Sequence, residues 1–195
     1  MSMMAALLVS CGTTSTVPIT GRKQNLMVSD QQILSLSNQQ YTEYMKTAKP
    51  STNKKNTEMV KRVGQKLATA VTNYLNNNGL SSEVANFQWE FNLVQDQQIN
   101  AFCMPGGKIV VYEGILPVTQ DETSLAIVLG HEIAHAVAKH SAEQMSTAIR
   151  QQYGAQALSV VLSGAGASSG MQNIAGTVFG LGAKGASAKY SRNHE

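Results

Sequence analysis

The chain has 195 residues, of which 43% are hydrophobic and 14% are charged, and its formal net charge is +3. This length is sufficient for one globular domain with a sizeable core. The basic residues are scattered along the chain without a long run, so a nucleic-acid-binding surface is not expected.

The first residues resemble a short lipoprotein signal. An apolar stretch covers residues 3–9, and residues 8–10 match the pattern of small residues before Cys11, which is the residue that would be acylated. We therefore predict a signal over residues 1–11, a polar tether over 12–28, and attachment to the membrane through acyl chains rather than a transmembrane helix. The alternative is an apolar leader with an incidental cysteine.

Two helices and a strand are predicted in the first half of the chain. Ser29 precedes an apolar-periodic run that ends before Pro50, which indicates a helix. A second apolar stripe covers 56–77 and is closed by Gly79. Strict alternation of apolar and polar residues over 87–93 then predicts a half-buried strand.

The next elements are a hairpin and a run of helices. Phe102 and the segment 109–112 flank a Met-Pro-Gly-Gly turn, which predicts a β-hairpin. Thr119 and Glu122 have capping-box spacing, so a helix is expected to start there and to continue to His140.

Further helix is predicted over 143–162, and a small-residue segment follows. Residues 163–188 are rich in Gly, Ala and Ser, and polar residues interrupt them too often for a bilayer span. We expect a flexible loop or a closely packed small-residue helix there, with a lid or a membrane-touching segment as the alternative.

The chemistry is concentrated in the run His-Glu-Ile-Ala-His that starts at His131. Two histidines four residues apart lie on one face of a helix, so His131 and His135 can share one metal ion. Glu132 lies beside that ion and can act as the base for a zinc-activated water, whose pKa is about 7. The spacing is typical of zinc hydrolases. The alternative is a pair of ordinary histidines on an amphipathic helix.

A mononuclear catalytic zinc needs a third protein ligand. His140, five residues after His135, would be turned by roughly 140° on a continuous helix and is predicted to face away as a non-ligand. Ala138 and Ser141 stand where a metzincin has glycine and histidine, which excludes that class. A gluzincin takes its third ligand from a glutamate on a second helix, and Glu195 is the candidate.

Three blocks together resemble a known family. They are residues 100–112, the block from His131 to His140, and 191–195. The chain is similar to envelope metallopeptidases of the HtpX, BepA and Oma type, gluzincins related to the CaaX prenyl proteases. The resemblance implies zinc ligation by His131, His135 and Glu195, and catalysis by Glu132.

The resemblance also bears on the domain and on substrate binding. Family members continue past the third ligand, so the domain predicted over 29–195 is expected to be C-terminally incomplete. In gluzincins an edge strand beside the zinc binds an extended peptide, and the matching residues are Asn100, Ala101 and Phe102. An ordinary core hairpin is the alternative for this stretch.

Cys103 is expected to be a buried small residue beside the site, with a role as an extra zinc ligand as the alternative.

The predicted protein is an α+β, mostly helical, zincin-like domain with a small antiparallel sheet and a motif-bearing helix. It is expected to bind one Zn²⁺ per chain and to hydrolyse unfolded or extended polypeptides at a bacterial cell envelope, facing the periplasm, in protein quality control. The rival interpretation is a non-catalytic envelope lipoprotein that acts as a chaperone or assembly partner. In a weaker third interpretation the zinc is structural, which would leave Glu132 dispensable.

Overall fold

The computed structural model describes residues 13–18, 20–154 and 169–179. A short 3₁₀ turn at Glu113–Ile115 joins the last strand to the helices that follow it. The described strands and helices are, in chain order, β1 (Thr13–Thr16), β2 (Lys23–Leu26), α1 (Asp30–Thr47), α2 (Lys54–Asn77), α3 (Ser81–Val84), β3 (Glu90–Val94), β4 (Ala101–Met104), β5 (Lys108–Tyr112), α4 (Leu116–Thr119), α5 (Glu122–Val137), α6 (His140–Tyr153) and α7 (Ser169–Val178).

The two long helices predicted in the first half are confirmed. Ser29 caps α1 through a capping box in which its hydroxyl accepts from the backbone N–H of Gln32. Asn53 caps α2 by accepting from the N–H of Asn56, so α2 starts at Lys54, two residues before the predicted start. Gly79 follows α2 with φ +73°, a left-handed conformation in which glycine carries no side-chain penalty.

The central sheet has the strand order β3–β5–β4, and its register defines the hairpin. The predicted β4–β5 hairpin is confirmed, because Ala101 pairs with Val111 and Phe102 with Val110 in antiparallel register. However, β3 pairs with β5 in parallel, with Phe91 opposite Ile109. The sheet is therefore mixed rather than purely antiparallel, within the mostly helical α+β fold that was predicted.

Both faces of this sheet are buried, which explains why every side chain of β4 and β5 is inaccessible. One face packs into a core with α1, α6 and α7, and the other packs against α2 and α5. Phe102 and Val110 lie in the first core, whereas Cys103 and Ile109 lie in the second. Alternate side chains of one strand thus enter opposite cores, as the pleat requires.

The strand predicted over 87–93 begins later than expected. Regular pairing starts at Glu90, and an aromatic stack runs from the residues before it into the strand. The rings of Phe87 and Trp89 lie parallel with centroids 4.7 Å apart, and the ring of Phe91 lies 6.5 Å further along. Leu93 and Val94 are both buried, so the predicted alternation ends where the strand enters the core.

The range 12–28, predicted as a polar tether, contains secondary structure. β1 and β2 pair as an antiparallel two-stranded sheet, and β2 packs against α6. Leu26 and Val28 are buried in the core that contains α1 and α6. Folded structure therefore begins before the predicted boundary at residue 29. The predicted signal over residues 1–11 lies outside the described residues.

The small-residue segment 163–188 is described only in its middle, where α7 lies. Met171, Ile174 and Ala175 of this helix are buried against α1 and α6. This part corresponds to the expected packed small-residue helix. Among the helices that the structure describes, none is long and apolar enough to cross a bilayer.

Candidate active site

The site is built on α5, whose start differs from the predicted one. Asp121 is the N-cap, and its carboxylate accepts from the backbone N–H of Ser124 at 2.7 Å. The predicted capping box from Thr119 is wrong, because the Thr119 hydroxyl donates instead to the carbonyl of Leu116 at 3.2 Å. The sequence does contain a signal for the correct helix start, because Asp121 stands directly before Glu122, an acidic residue in the first turn.

The buried side of α5 fixes which way the motif points. Leu125, Leu129 and Ile133 recur every four residues and are at most 1% exposed, because they pack into the core shared with α2 and the sheet. The motif histidines flank this stripe. His131 lies on the accessible side of the helix, whereas His135 is 8% exposed. The motif therefore lies at the boundary between core and solvent.

The two motif histidines converge through the same ring atom. Their Nε2 atoms are 2.9 Å apart, and the ring planes are nearly perpendicular at 85°. Zinc–nitrogen bonds are about 2.0–2.1 Å long, so both nitrogens can reach one ion placed between them. The donor set of two imidazole nitrogens also matches the chemistry that zinc prefers.

Glu132, between these histidines, is partly buried. Burial raises the pKa of its carboxyl from 4.5 to about 7, because the charged form loses hydration. A carboxyl that titrates near neutral pH is suited to accept and release a proton there. This carboxylate lies close enough to β4 that its charge contributes to the environment of Cys103.

His140 does not lie where the sequence predicted. The predicted helix through His140 is interrupted, because α5 ends at Val137 and α6 begins at His140 itself. The Nδ1 atom of His140 lies 2.6 Å from Nδ1 of His135, so the prediction that it faces away is wrong. The contact uses the nitrogen of His135 that is turned away from His131.

The strand β4 lies at the edge of its sheet and packs against α5, beside the motif. The carbonyl of Asn100 accepts from the N–H of Tyr112, and the side chains of Ala101 and Phe102 are buried. Any contact of these two residues with a substrate would therefore be made by their main chain. Strand addition uses main-chain groups in this way.

Cys103 is buried beside the motif helix, as expected. Burial, and to a smaller extent the charge of Glu132, raises the pKa of its thiol. Its sulfur lies 3.6 Å from the carbonyl of Met104, where the thiol donates a weak hydrogen bond. A thiol held protonated in this way is a poor metal ligand.

Two predicted functional residues, Cys11 and Glu195, lie outside the described residues. Within residues 13–18, 20–154 and 169–179, no group of three or more His, Cys, Asp or Glu side chains is arranged to hold a metal. The described part of the site thus consists of His131, His135 and Glu132, and the predicted third ligand stays a prediction.

Comparison with known proteins decides the family. The model of peptidase family M48 matches residues 54–195, which is more than half of the chain and includes the motif, the edge strand and Glu195. The chain belongs to peptidase family M48. The resemblance recognised from the three sequence blocks is thereby confirmed, and so is the zincin-like fold class.

The relatives are named as proteases, and two of them as metalloendopeptidases. The mitochondrial metalloendopeptidase OMA1 of Schizosaccharomyces pombe is 49% identical over 65 residues, which cover 33% of this chain and 19% of the relative. Metalloendopeptidase OMA1 of Bos taurus is 33% identical over 131 residues, covering 66% and 24%. The beta-barrel assembly-enhancing protease of Yersinia pestis is 36% identical over 96 residues, covering 47% and 20%. The matched part is thus about a fifth of each relative.

Proposed function

We propose that the chain carries the active site of a zinc-dependent metalloendopeptidase. The observation that supports this most strongly is the convergence of the His131 and His135 Nε2 atoms to 2.9 Å, with the carboxylate of Glu132 between them in sequence. Metalloendopeptidase names among the relatives support the same reaction class. In this proposal the two histidines and Glu195 bind one Zn²⁺.

Each described residue has a separate task in the proposed reaction. When bound, zinc polarises a peptide carbonyl and lowers the pKa of a coordinated water. Glu132 would take up a proton from the water that attacks the peptide carbonyl, and it would deliver that proton to the amine nitrogen as the C–N bond breaks. Burial raises the pKa of this carboxyl in the metal-free protein, which favours its uptake of a proton.

The main chain at Asn100, Ala101 and Phe102 is proposed to hold the substrate. A peptide that adds to the edge strand β4 is bound through backbone hydrogen bonds, so it must be extended, whereas its side chains are read only weakly. Unfolded or extended polypeptides are therefore the proposed substrates. The position of β4 against α5 supports this role, because it brings a bound strand close to the motif.

The proposed setting is the periplasmic side of a bacterial envelope, with the chain anchored through acylated Cys11 and acting in protein quality control. The relative in Yersinia pestis is named for beta-barrel assembly, and transmembrane β-barrels are outer-membrane proteins. That name supports an envelope role for this chain. Small residues before Cys11 support the lipid anchor.

Two variants separate metal binding from catalysis. Glu132→Gln keeps the side-chain shape and removes the base, so zinc per chain should persist while casein cleavage falls by about 10²-fold or more. His131→Ala should lose both zinc and cleavage. Zinc is measured after dialysis, and cleavage is measured with and without a chelator.

The outcomes distinguish the proposed enzyme from its rivals. Equal zinc in wild type and His131→Ala would show that the motif does not bind the ion. Zinc binding without chelator-sensitive cleavage in the wild type would favour a non-catalytic chaperone or assembly partner. Unchanged cleavage by Glu132→Gln would remove the assigned base.

A further inference from the structure

The end of the motif helix is a sharp corner with an unusual backbone. Between α5 and α6, Lys139 adopts φ 57° and ψ 31°, a left-handed conformation that is unfavourable for a residue with a Cβ atom. No glycine or asparagine is present at this position to ease it. A strained residue of this kind persists only where its surroundings hold it in place.

The side chain of Lys139 shows what holds the corner. Its ammonium donates to the carboxylate of Asp30 at 2.8 Å and to Glu83 at 3.1 Å. Asp30 is the first residue of α1, and Glu83 belongs to α3. The lysine side chain is only 15% exposed, so these ion pairs are screened less than surface pairs. The corner is thus tied to two elements that are distant in sequence.

The corner returns the chain towards the motif. On a continuous helix, the residue five positions after His135 would be rotated by roughly 140° around the axis. Because the chain turns at Lys139, the ring of His140 instead lies with its centroid 4.8 Å from that of His135. The ring of His135 is consequently contacted on both sides, by His131 at Nε2 and by His140 at Nδ1.

We propose that His140 is a positioning residue for the metal ligand His135, and that Lys139 holds His140 in place through Asp30 and Glu83. This inference rests on the proposed zinc function. When Nε2 of His135 binds the ion, its hydrogen is carried on Nδ1, which donates to Nδ1 of His140. His140 then carries its own hydrogen on Nε2.

The physical consequence is a dependence of metal affinity on residues that do not bind the metal. A ligand histidine whose second nitrogen is hydrogen-bonded keeps its ring orientation and tautomer, and loss of such a partner typically weakens metal binding by about 10–100-fold. Without the ion pairs of Lys139, the corner can relax, and His140 moves away from His135. Loss of His140 and loss of the ion pairs of Lys139 should therefore each weaken zinc binding.

The test measures the zinc dissociation constant of the full chain by competition with a chromogenic chelator, and the melting temperature of the metal-free protein. His140→Ala should weaken zinc binding by about 10–100-fold. His140→Asn, which retains an acceptor oxygen, should lose less. Lys139→Met removes the ion pairs and leaves the left-handed backbone strained, so it should also weaken zinc binding.

Arg22→Ala is the matched control. Arg22 forms a two-pronged ion pair with Glu143 of α6, so this variant breaks an ion pair to the same helix without touching the corner. It should leave zinc affinity unchanged. A purely structural role for His140 or Lys139 would lower the melting temperature of the metal-free protein and leave the zinc affinity of the folded fraction unchanged.

Different failures have different meanings. If the wild type binds no zinc, the proposed function fails. If the wild type binds zinc and His140→Ala binds it equally well, the positioning role alone is overturned. Loss of zinc as complete as in His131→Ala would make His140 a ligand, which also overturns it.

A measurement on the wild type does not depend on the folding of any variant. In zinc-loaded, ¹⁵N-histidine-labelled protein, a scalar coupling across the Nδ1–H···Nδ1 hydrogen bond of His135 and His140 is expected. Its absence would contradict the inference.

Discussion

Two glycines inside helices, Gly64 in α2 and Gly130 in α5, give opposite predictions for the same substitution. Alanine is favoured over glycine in a helix interior by about 1 kcal/mol. Among the residues that the structure describes, no heavy atom lies within 4 Å of a Cβ atom added at Gly130. Gly130→Ala should therefore raise the free energy of unfolding by about 1 kcal/mol, which corresponds to a melting temperature roughly 2–4 °C higher.

At Gly64 the added atom has no room. Its Cβ would lie 2.8 Å from Cγ of Phe91 and closer still to Cδ1 and Cε1 of the same ring. The ring cannot withdraw freely, because it lies in the aromatic stack beside Trp89. Extra atoms in a packed core cost about 1–3 kcal/mol, which exceeds the gain in helix propensity. After subtraction of that gain, we expect Gly64→Ala to lower the free energy of unfolding by up to about 2 kcal/mol.

The assay is urea and thermal denaturation of the metal-free proteins, followed by circular dichroism. Because both substitutions are Gly→Ala within a helix, the difference between them isolates the contact between α2 and β3. Equal stabilisation by both variants would refute this reasoning, since it would mean that Phe91 does not fill the space beside Gly64. Restoration of stability by adding Phe91→Leu to Gly64→Ala would support it.

The remaining predictions concern acid stability and the anchor. The hydrogen bond from buried Lys108 holds the pKa of Glu90 below its ordinary value of 4.5, so this carboxylate stabilises the fold above that pH and the contribution is lost as the pH falls through the lowered pKa. Wild type should lose more stability between pH 6 and about pH 3 than Glu90→Gln, as measured by urea denaturation at each pH; parallel losses would contradict this. Cys11→Ser should move the protein from the membrane fraction to the soluble fraction, and sedimentation of the variant with membranes would mean that the lipid assignment is wrong or that residues 163–188 bind lipid.

Local patterns in the sequence were sufficient for the elements that depend on local physics. Ser29 caps α1 with its own side chain, Gly79 follows the end of α2 in a left-handed conformation, and the two-glycine turn at 106–107 permits the hairpin. The spacing of His131 and His135 determined their shared helix face in the same way. In each case the decisive contacts lie within a few residues of one another.

The errors arose where distant residues decide the structure. Nothing near Lys139 in the sequence indicates a corner, because the ion pair that holds it comes from Asp30, 109 positions away. Helix periodicity therefore extended α5 through His140 and turned that ring away from the motif. Likewise, the parallel pairing of β3 with β5 depends on tertiary contacts that alternation within a strand does not encode.

The edge strand and the proposed base belong to one arrangement. β4 packs against α5 and brings Cys103 close to Glu132, so the strand contributes to the surroundings that leave this carboxylate partly buried and less hydrated. That loss of hydration raises the pKa of Glu132 to about 7. Since the side chains of Ala101 and Phe102 point into the core, only the backbone of this stretch is available to an extended peptide. Substrate binding along β4 and proton transfer at Glu132 would thus depend on the same contact between strand and helix.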